Sequence, residues 1–260
     1  MALTYGTYLK VDELLELQEV QSKPAQHDEM LFIVIHQAYE LWFKQILHEF
    51  DLFRNQLQQN ELWSAVKTLR RILVIMKTLV GQTDILETMT PLSFQSFRGF
   101  LDQASGFQSV QFRGIEIICG LRSPFMLNIF REDDKTRAVL QKRLDETTIW
   151  EAFCKFLIDL NYDIEMPIRK NDKGLVHDPS DHNQNILVDI MKNDPEIAML
   201  AELLVDFDEG LQEWRYRHVK MVERTIGSKP GTGGSQGVEY LKKTLHRMIF
   251  PDLWYIRSEF

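Results

Sequence analysis

From Glu196 onward, the residues Leu200, Leu204, Phe207, Leu211, Trp214, His218, Met221 and Thr225 recur in strict alternation of four and three. Only a helix of about seven turns places all of them on one face. A face that long needs partners of comparable length to bury it, and the sequence supplies two. After Pro24, with Asp28 as a candidate cap, Phe32, Ile35, Tyr39, Trp42, Phe43, Ile46, Phe50 and Phe53 follow the same rhythm. From about Glu61 to Glu87, so do Trp63, Val66, Leu69, Leu73, Met76 and Val80. Nowhere is there the sustained two-residue alternation of a sheet, or the self-similarity of a repeat array. The expected fold is all-α: one helical domain spanning residues 1–260, with several long helices forming a bundle.

Shorter elements fill the intervals. Thr90-Pro91 offers a cap and a first-turn proline to a helix bearing Phe94, Phe97 and Arg98. The stretch from Ala104 to Ser109 breaks that pattern, and Ser109 can start another helix through Phe112, Ile115, Ile118 and Cys119. Beyond Ser123-Pro124 come charged amphipathic segments to about Tyr162, then a polar, turn-rich piece from Met166 to Asn185 that reads as an exposed loop. Gly227 ends the long third helix, and a last helix is expected from about Val238 to Met248, stopped by Pro251.

Composition narrows the function classes. A formal charge of −8 argues against nucleic acid and anionic membranes as partners, since both need a concentrated positive surface. No apolar run reaches the ~18 residues that cross a bilayer, and the first ten residues lack the apolar core of a secretory signal. Two cysteines, Cys119 and Cys154, without C-x-x-C spacing, exclude a disulfide framework and covalent c-type haem attachment. A cytoplasmic protein is expected. Sixteen phenylalanines give material for a flat aromatic pocket.

Seven histidines are the metal-ligand candidates. None lies three residues after a glutamate and H-E-x-x-H is absent, so carboxylate-bridged di-iron and zincin sites are excluded. His177-Asp178 and Asp181-His182 read as solvated loop residues. His218, on its apolar stripe, is either a hydrogen-bonded core histidine or the proximal ligand of a haem iron. His36, at the edge of the first stripe, adds a second imidazole to a core-facing surface, which suggests a shared pocket. The small-residue loop Gly231-Thr232-Gly233-Gly234-Ser235-Gln236-Gly237 is not a phosphate loop of the Gly-Lys-Ser/Thr kind. Its glycines and hydroxyls suit an anion or an amino-acid zwitterion, or form a plain connector. Arg98, four residues after Phe94, sets a guanidinium beside an aromatic wall, fit for a planar carboxylate ligand or for a surface ion pair.

These positions carry a resemblance. Tyr5-Gly-x-Tyr8, F-I-V-I-H-Q-A-Y-E-L-W-F-K-Q-I-L-H-E from Phe32 to Glu49, F-x-x-x-R-x-x-x-x-x-x-S-G-F-Q-S-x-Q-F-R from Phe94 to Arg113, and W-R-Y-R-H with G-T-G-G-S further on are similar to the haem-dependent tryptophan 2,3-dioxygenase family. The resemblance spans nearly the whole chain. It implies a helical homotetramer binding haem b, one per subunit and ferrous when active, that inserts both atoms of dioxygen across the indole pyrrole double bond of L-tryptophan to give N-formylkynurenine. By motif, His218 would be the proximal iron ligand and His36 the distal residue meeting the indole N–H, as a base or only as an orienting acceptor. Arg98 would clamp the substrate carboxylate, and Thr232 would bind the amino-acid end together with a haem propionate. Phe32 and Phe94 would line the indole slot, while Ser105 and Gly233 would lie against the cofactor, Ser105 hydrogen-bonding in the pocket. Tyr5 and Tyr8, within an N-terminal segment of residues 1–20, would reach a neighbouring subunit. The residues alone leave open a related haem monooxygenase acting on another indole, or a helical haem-binding module without turnover.

Overall fold

A computed structural model describes residues 2–121, 125–168, 177–232 and 237–260. Its helices are α1 (Tyr5–Leu9), α2 (Val11–Leu15), α3 (His27–Gln58), α4 (Leu62–Leu86), α5 (Pro91–Arg98), α6 (Val110–Ile118), α7 (Phe125–Asn128), α8 (Asp134–Asp145), α9 (Ile149–Asp159), α10 (Asp181–Asn193), α11 (Pro195–Ile226), α12 (Val238–Lys242) and α13 (Pro251–Tyr255). Single 3₁₀ turns cover Gly106–Gln108 and Ile256–Glu259. There is no strand among the described residues, as the periodicity requires.

The three long stripes fall on α3, α4 and α11. The turn between α3 and α4 uses Asn60 at φ 56°, a left-handed conformation that asparagine tolerates, so the two helices run as an antiparallel pair. The second long helix, α4, takes α3 on one side and α11 on the other. Between them Phe50, Phe53, Leu57, Leu69, Ile72, Leu204 and Phe207 are fully buried. Phe50 meets Phe207 edge to face at 5.1 Å and 88°. Each such side chain contributes ~1.5–3 kcal/mol of burial. Helix α9 is apolar nearly all round and sits inside the bundle against α3. The close approach of α6 to α3 rests on Gly114, where an added Cβ would come 3.1 Å from Leu47 Cδ1. Cys119 and Cys154 are free and buried, and burial pushes both thiols up, away from thiolate chemistry.

Helix ends follow local chemistry in most places. Thr90 and Ser109 accept hydrogen bonds from Ser93 N and Phe112 N, each at 3.1 Å, and Gly227 closes α11 at φ 60°. Three expectations are corrected. Gln26, not Asp28, is the cap of α3; Asp28 lies in the first turn, where its carboxylate favours the positive end of the helix. The last helix stops at Lys242, and Pro251 opens α13 at its first position instead of ending a helix. Its start is held by the fully buried Asp208, whose Oδ2 accepts from Ile249 N (2.7 Å), Phe250 N (3.0 Å) and Trp254 Nε1 (2.9 Å).

Residues 166–185 are not simply an exposed loop either, although residues 169–176 lie outside the described residues. Ser180 caps α10, which begins at Asp181. His177 is 5% exposed, stacked on Trp150 with centroids 5.1 Å apart, and its Nε2 is 2.9 Å from Asp252 Oδ2. It is therefore a core histidine, while His182 remains exposed and bonds the Asp163 carbonyl at 2.7 Å. Among the described residues no helix is long and apolar enough to cross a membrane.

Candidate active site

The N-terminal half of α3, the end of α4, α5 and the C-terminal half of α11 meet around a second, smaller core of Ile35, Leu86, Met89, Phe94, Phe97 and Met221, with Phe32 and Tyr39 packed against it. His36 and His218 lie on the two helices that flank this core, near enough that charging one disfavours charging the other. The two rings are held differently.

His36 Nδ1 lies 2.7 Å from the Phe32 carbonyl one turn earlier. A carbonyl only accepts, so Nδ1 carries the proton and Nε2 keeps its lone pair. The ring reaches solvent on one side and is covered by Phe32 on another. Burial lowers its pKa, partly offset by the Phe32 bond, and the imidazole is neutral at neutral pH. Phe32 covers it at 4.1 Å and continues the wall to Phe94 at 5.7 Å and Phe97 at 5.5 Å. Phe32 and Phe94, expected together, are together.

His218 is half-buried and stacks on Trp214 with centroids 5.3 Å apart and planes 6° from parallel. Neither of its nitrogens has a hydrogen-bond partner among the described residues, so the satisfied core histidine is not what the fold builds. Burial, and then His36, push its pKa down to about 4, keeping both nitrogens of the ring free of a second proton.

Arg98 ends α5 and makes no ion pair among the described residues; its Nη2 donates to the Pro230 carbonyl at 2.5 Å. Thr232 Oγ1 donates to the Ala104 carbonyl at 2.6 Å, and Lys229 Nζ to Gln95 Oε1 at 3.2 Å. The segment leaving α11 thus lies across α5 and the turn before α6. Ser105 sits next to that contact, half-buried, its hydroxyl accepting from Phe107 N at 3.4 Å as a cap, which leaves the hydroxyl proton free to donate. Gly233, like Ser235, lies outside the described residues. Tyr5 and Tyr8 occupy one short helix, are 79% and 73% exposed, and do not meet the histidines of their own chain.

Sequence reasoning passed over Arg113 and Arg215. Arg113 lies over the Phe112 ring, 5.3 Å from its centroid, and pairs with Glu116; Phe112 in turn is 4.9 Å from Trp214. Arg215 donates Nη1 to the Arg247 carbonyl at 3.1 Å, with Nη2 3.9 Å from Glu116. Both guanidinium groups are buried, and Arg113 Nε and Arg215 Nη2 make no hydrogen bond among the described residues. A charged residue on an amphipathic helix reads as surface, and only the meeting of α6 with α11 shows otherwise.

This donor set fits a haem. A neutral imidazole without a protein partner suits iron, the aromatic walls suit a flat macrocycle, and orphaned buried N–H groups suit its carboxylates.

The family model described as "Tryptophan 2,3-dioxygenase" matches residues 1–149 and 125–260. Among relatives of that name, one from Herpetosiphon aurantiacus is 51% identical, covering 99% of this chain and 98% of its own. Another from Anaeromyxobacter sp. (strain K) is 46% identical over 99% and 96%, and one from Bacillus thuringiensis subsp. konkukian 40% over 99% and 92%. The chain belongs to the tryptophan 2,3-dioxygenase family.

Proposed function

We propose that this protein cleaves the indole pyrrole ring of L-tryptophan with dioxygen, giving N-formylkynurenine, in a pocket between His36 and His218. The observation that carries the reading is the unlike state of the two rings among the described residues: one tied by Phe32 at Nδ1 with no partner at Nε2, the other without a hydrogen bond. His218 would hold haem b, with the Arg113 and Arg215 guanidinium groups meeting its propionates and Gly233 and Ser105 beside it, and the bound group would supply the activation of dioxygen.

The remaining work belongs to the chain. Phe32 and Phe94 hold the indole plane and exclude water. His36 Nε2, neutral and unprotonated, accepts the indole N–H and fixes which ring edge faces the oxygen. Arg98 exchanges its neutral Pro230 partner for the substrate carboxylate, a stronger, charge-assisted acceptor. Thr232, on the segment that Arg98 anchors, binds the amino-acid end. Both oxygen atoms enter the product, so no external reductant is consumed per turnover.

Support for an assembly comes from α1, α2 and the residues just after them, which expose Tyr5, Tyr8, Leu14, Leu15 and Leu17. Contiguous apolar surface of this kind marks a protein contact, and we read it as the neighbour's site in a homotetramer. The experiment is direct. Purified protein with haem shows a Soret band and turns tryptophan and oxygen into a product with formylkynurenine absorbance, carrying two labelled oxygen atoms. His218→Ala weakens or abolishes the band. Protein that stays colourless with ample haem rejects the reading.

A further inference from the structure

We propose that Trp214 is a positioning residue that sets the plane of the His218 imidazole by stacking; the inference rests on the reading of His218 as the iron ligand. A ligating imidazole usually has its ring plane fixed by an N–H bond to an oxygen. His36 has such a bond, to the Phe32 carbonyl, whereas no oxygen among the described residues serves His218. What His218 has is the indole of Trp214, one turn earlier on α11, 6° from parallel at 5.3 Å. The χ2 torsion of histidine is broad by itself, so a fixed neighbouring plane decides where the ring rests.

The indole is itself immobilised. It is 8% exposed and touched on three sides: by Phe112 at 4.9 Å, by Phe43 edge-on at 6.0 Å and 86°, and by Tyr39 edge-on at 6.4 Å and 66°. Tyr39 is locked in turn by donating its hydroxyl to the Leu79 carbonyl at 2.8 Å, which ties the wedge to α4. Trp214 Nε1, buried and without a close hydrogen bond among the described residues, is directed toward the Tyr39 hydroxyl, so Tyr39 holds the indole edge while the indole face lies against His218. The protein thereby orients the ligand without pulling charge onto it, since stacking leaves the imidazole neutral.

The test uses the haem-loaded full chain and its Trp214→Phe and Trp214→Leu variants, reading the iron–imidazole stretching line of the ferrous protein by resonance Raman and haem affinity by titration of the stripped protein. Wild type and Trp214→Phe, which keeps a planar face, are expected to give one narrow line. Trp214→Leu is expected to broaden or shift it and to weaken haem binding by up to about tenfold, the worth of one aromatic contact. An unchanged line and affinity in Trp214→Leu overturns the proposal. Should that variant lose helix content, Trp214→Met, which refills the volume without a plane, decides by the same line: broadened supports, unchanged overturns. His218→Ala separates the two readings. If it keeps the iron–imidazole line, the assignment of His218 falls; if it loses the line while Trp214→Leu does not alter it, only the stacking role falls.

Discussion

Gly237 has no room for a side chain and no conformation for one. Its φ is 60° with ψ −131°, and an added Cβ would lie 2.8 Å from the Lys229 carbonyl oxygen. Gly227, at the other end of the same segment, has φ 60° as well but open space around it. Strain of the backbone alone costs about 1–3 kcal/mol. Gly227→Ala should therefore raise KM for tryptophan modestly, and Gly237→Ala more, because Lys229 must also move and with it the neighbouring Pro230 that Arg98 holds. Equal KM values for both variants would deny the segment a part in seating substrate. At Arg98 itself, half-buried and with its side chain bonded to Pro230 alone among the described residues, Arg98→Ala should weaken tryptophan binding by ~2–5 kcal/mol, the loss typical of a buried charge pair. Unchanged saturation by tryptophan would reject the clamp.

Elements are joined by carboxylates with partners distant in sequence. Asp208 on α11 collects three donors from residues 249–254, and Asp208→Ala would leave all three unpaired, the two backbone N–H groups fully buried and the Trp254 N–H partly so. At ~1 kcal/mol or more each, the loss should reach about 3 kcal/mol, read as a lowered unfolding midpoint. Asp51 ties α3 to α8. Burial pushes its carboxyl up, but Arg143 and Arg54 outweigh this and hold it below the usual carboxylate range. A depressed folded pKa gives stability that is present above the unfolded value, about 4, and lost as pH falls through the folded one. Asp51→Asn should lower the urea midpoint at neutral pH and flatten its decline below about pH 4; a variant with the wild-type acid limb would show that the pair carries no linkage. The same contrast separates what the sequence reveals from what it hides. Thr90, Ser109 and Gly227 act on backbone groups within a few residues, so their helix ends are readable from composition and spacing alone. His177 is buried because Asp252 and Trp150 receive it from remote positions, and Pro251 opens a helix because Asp208 holds the backbone before it. Likewise His36, Phe32, Phe94 and Arg98 stand out by rhythm, whereas Arg113 and Arg215 look like surface charges until α6 meets α11.

For the whole molecule the decisive feature is an arm that buries nothing at home. Leu3, Tyr5, Tyr8, Leu15 and Leu17 are 61–79% exposed, and neither α1 nor α2 contains a buried residue. The arm is nonetheless fixed at its base. Gln37 Nε2 donates to the Leu17 carbonyl at 2.9 Å, and Glu29 accepts from Gln21 N and Ser22 N at 2.8 and 3.0 Å, so the tether lies beside His36 on α3. A folded helix with a capping box at Thr4 and an apolar face left in water is stable only when another surface covers it. If the cover is the neighbour's pocket, the loss of an arm damages a site other than its owner's. Subunits carrying Tyr5→Ala and Tyr8→Ala keep a sound haem site and lack a sound arm; His218→Ala subunits keep the arm and lack the iron. Each preparation alone should be nearly inactive, and unfolding and reassembling them together should restore formylkynurenine production, because mixed assemblies bring an intact arm to an intact haem site. Recovery no greater than the sum of the two separate preparations would place the arm on its own subunit's pocket.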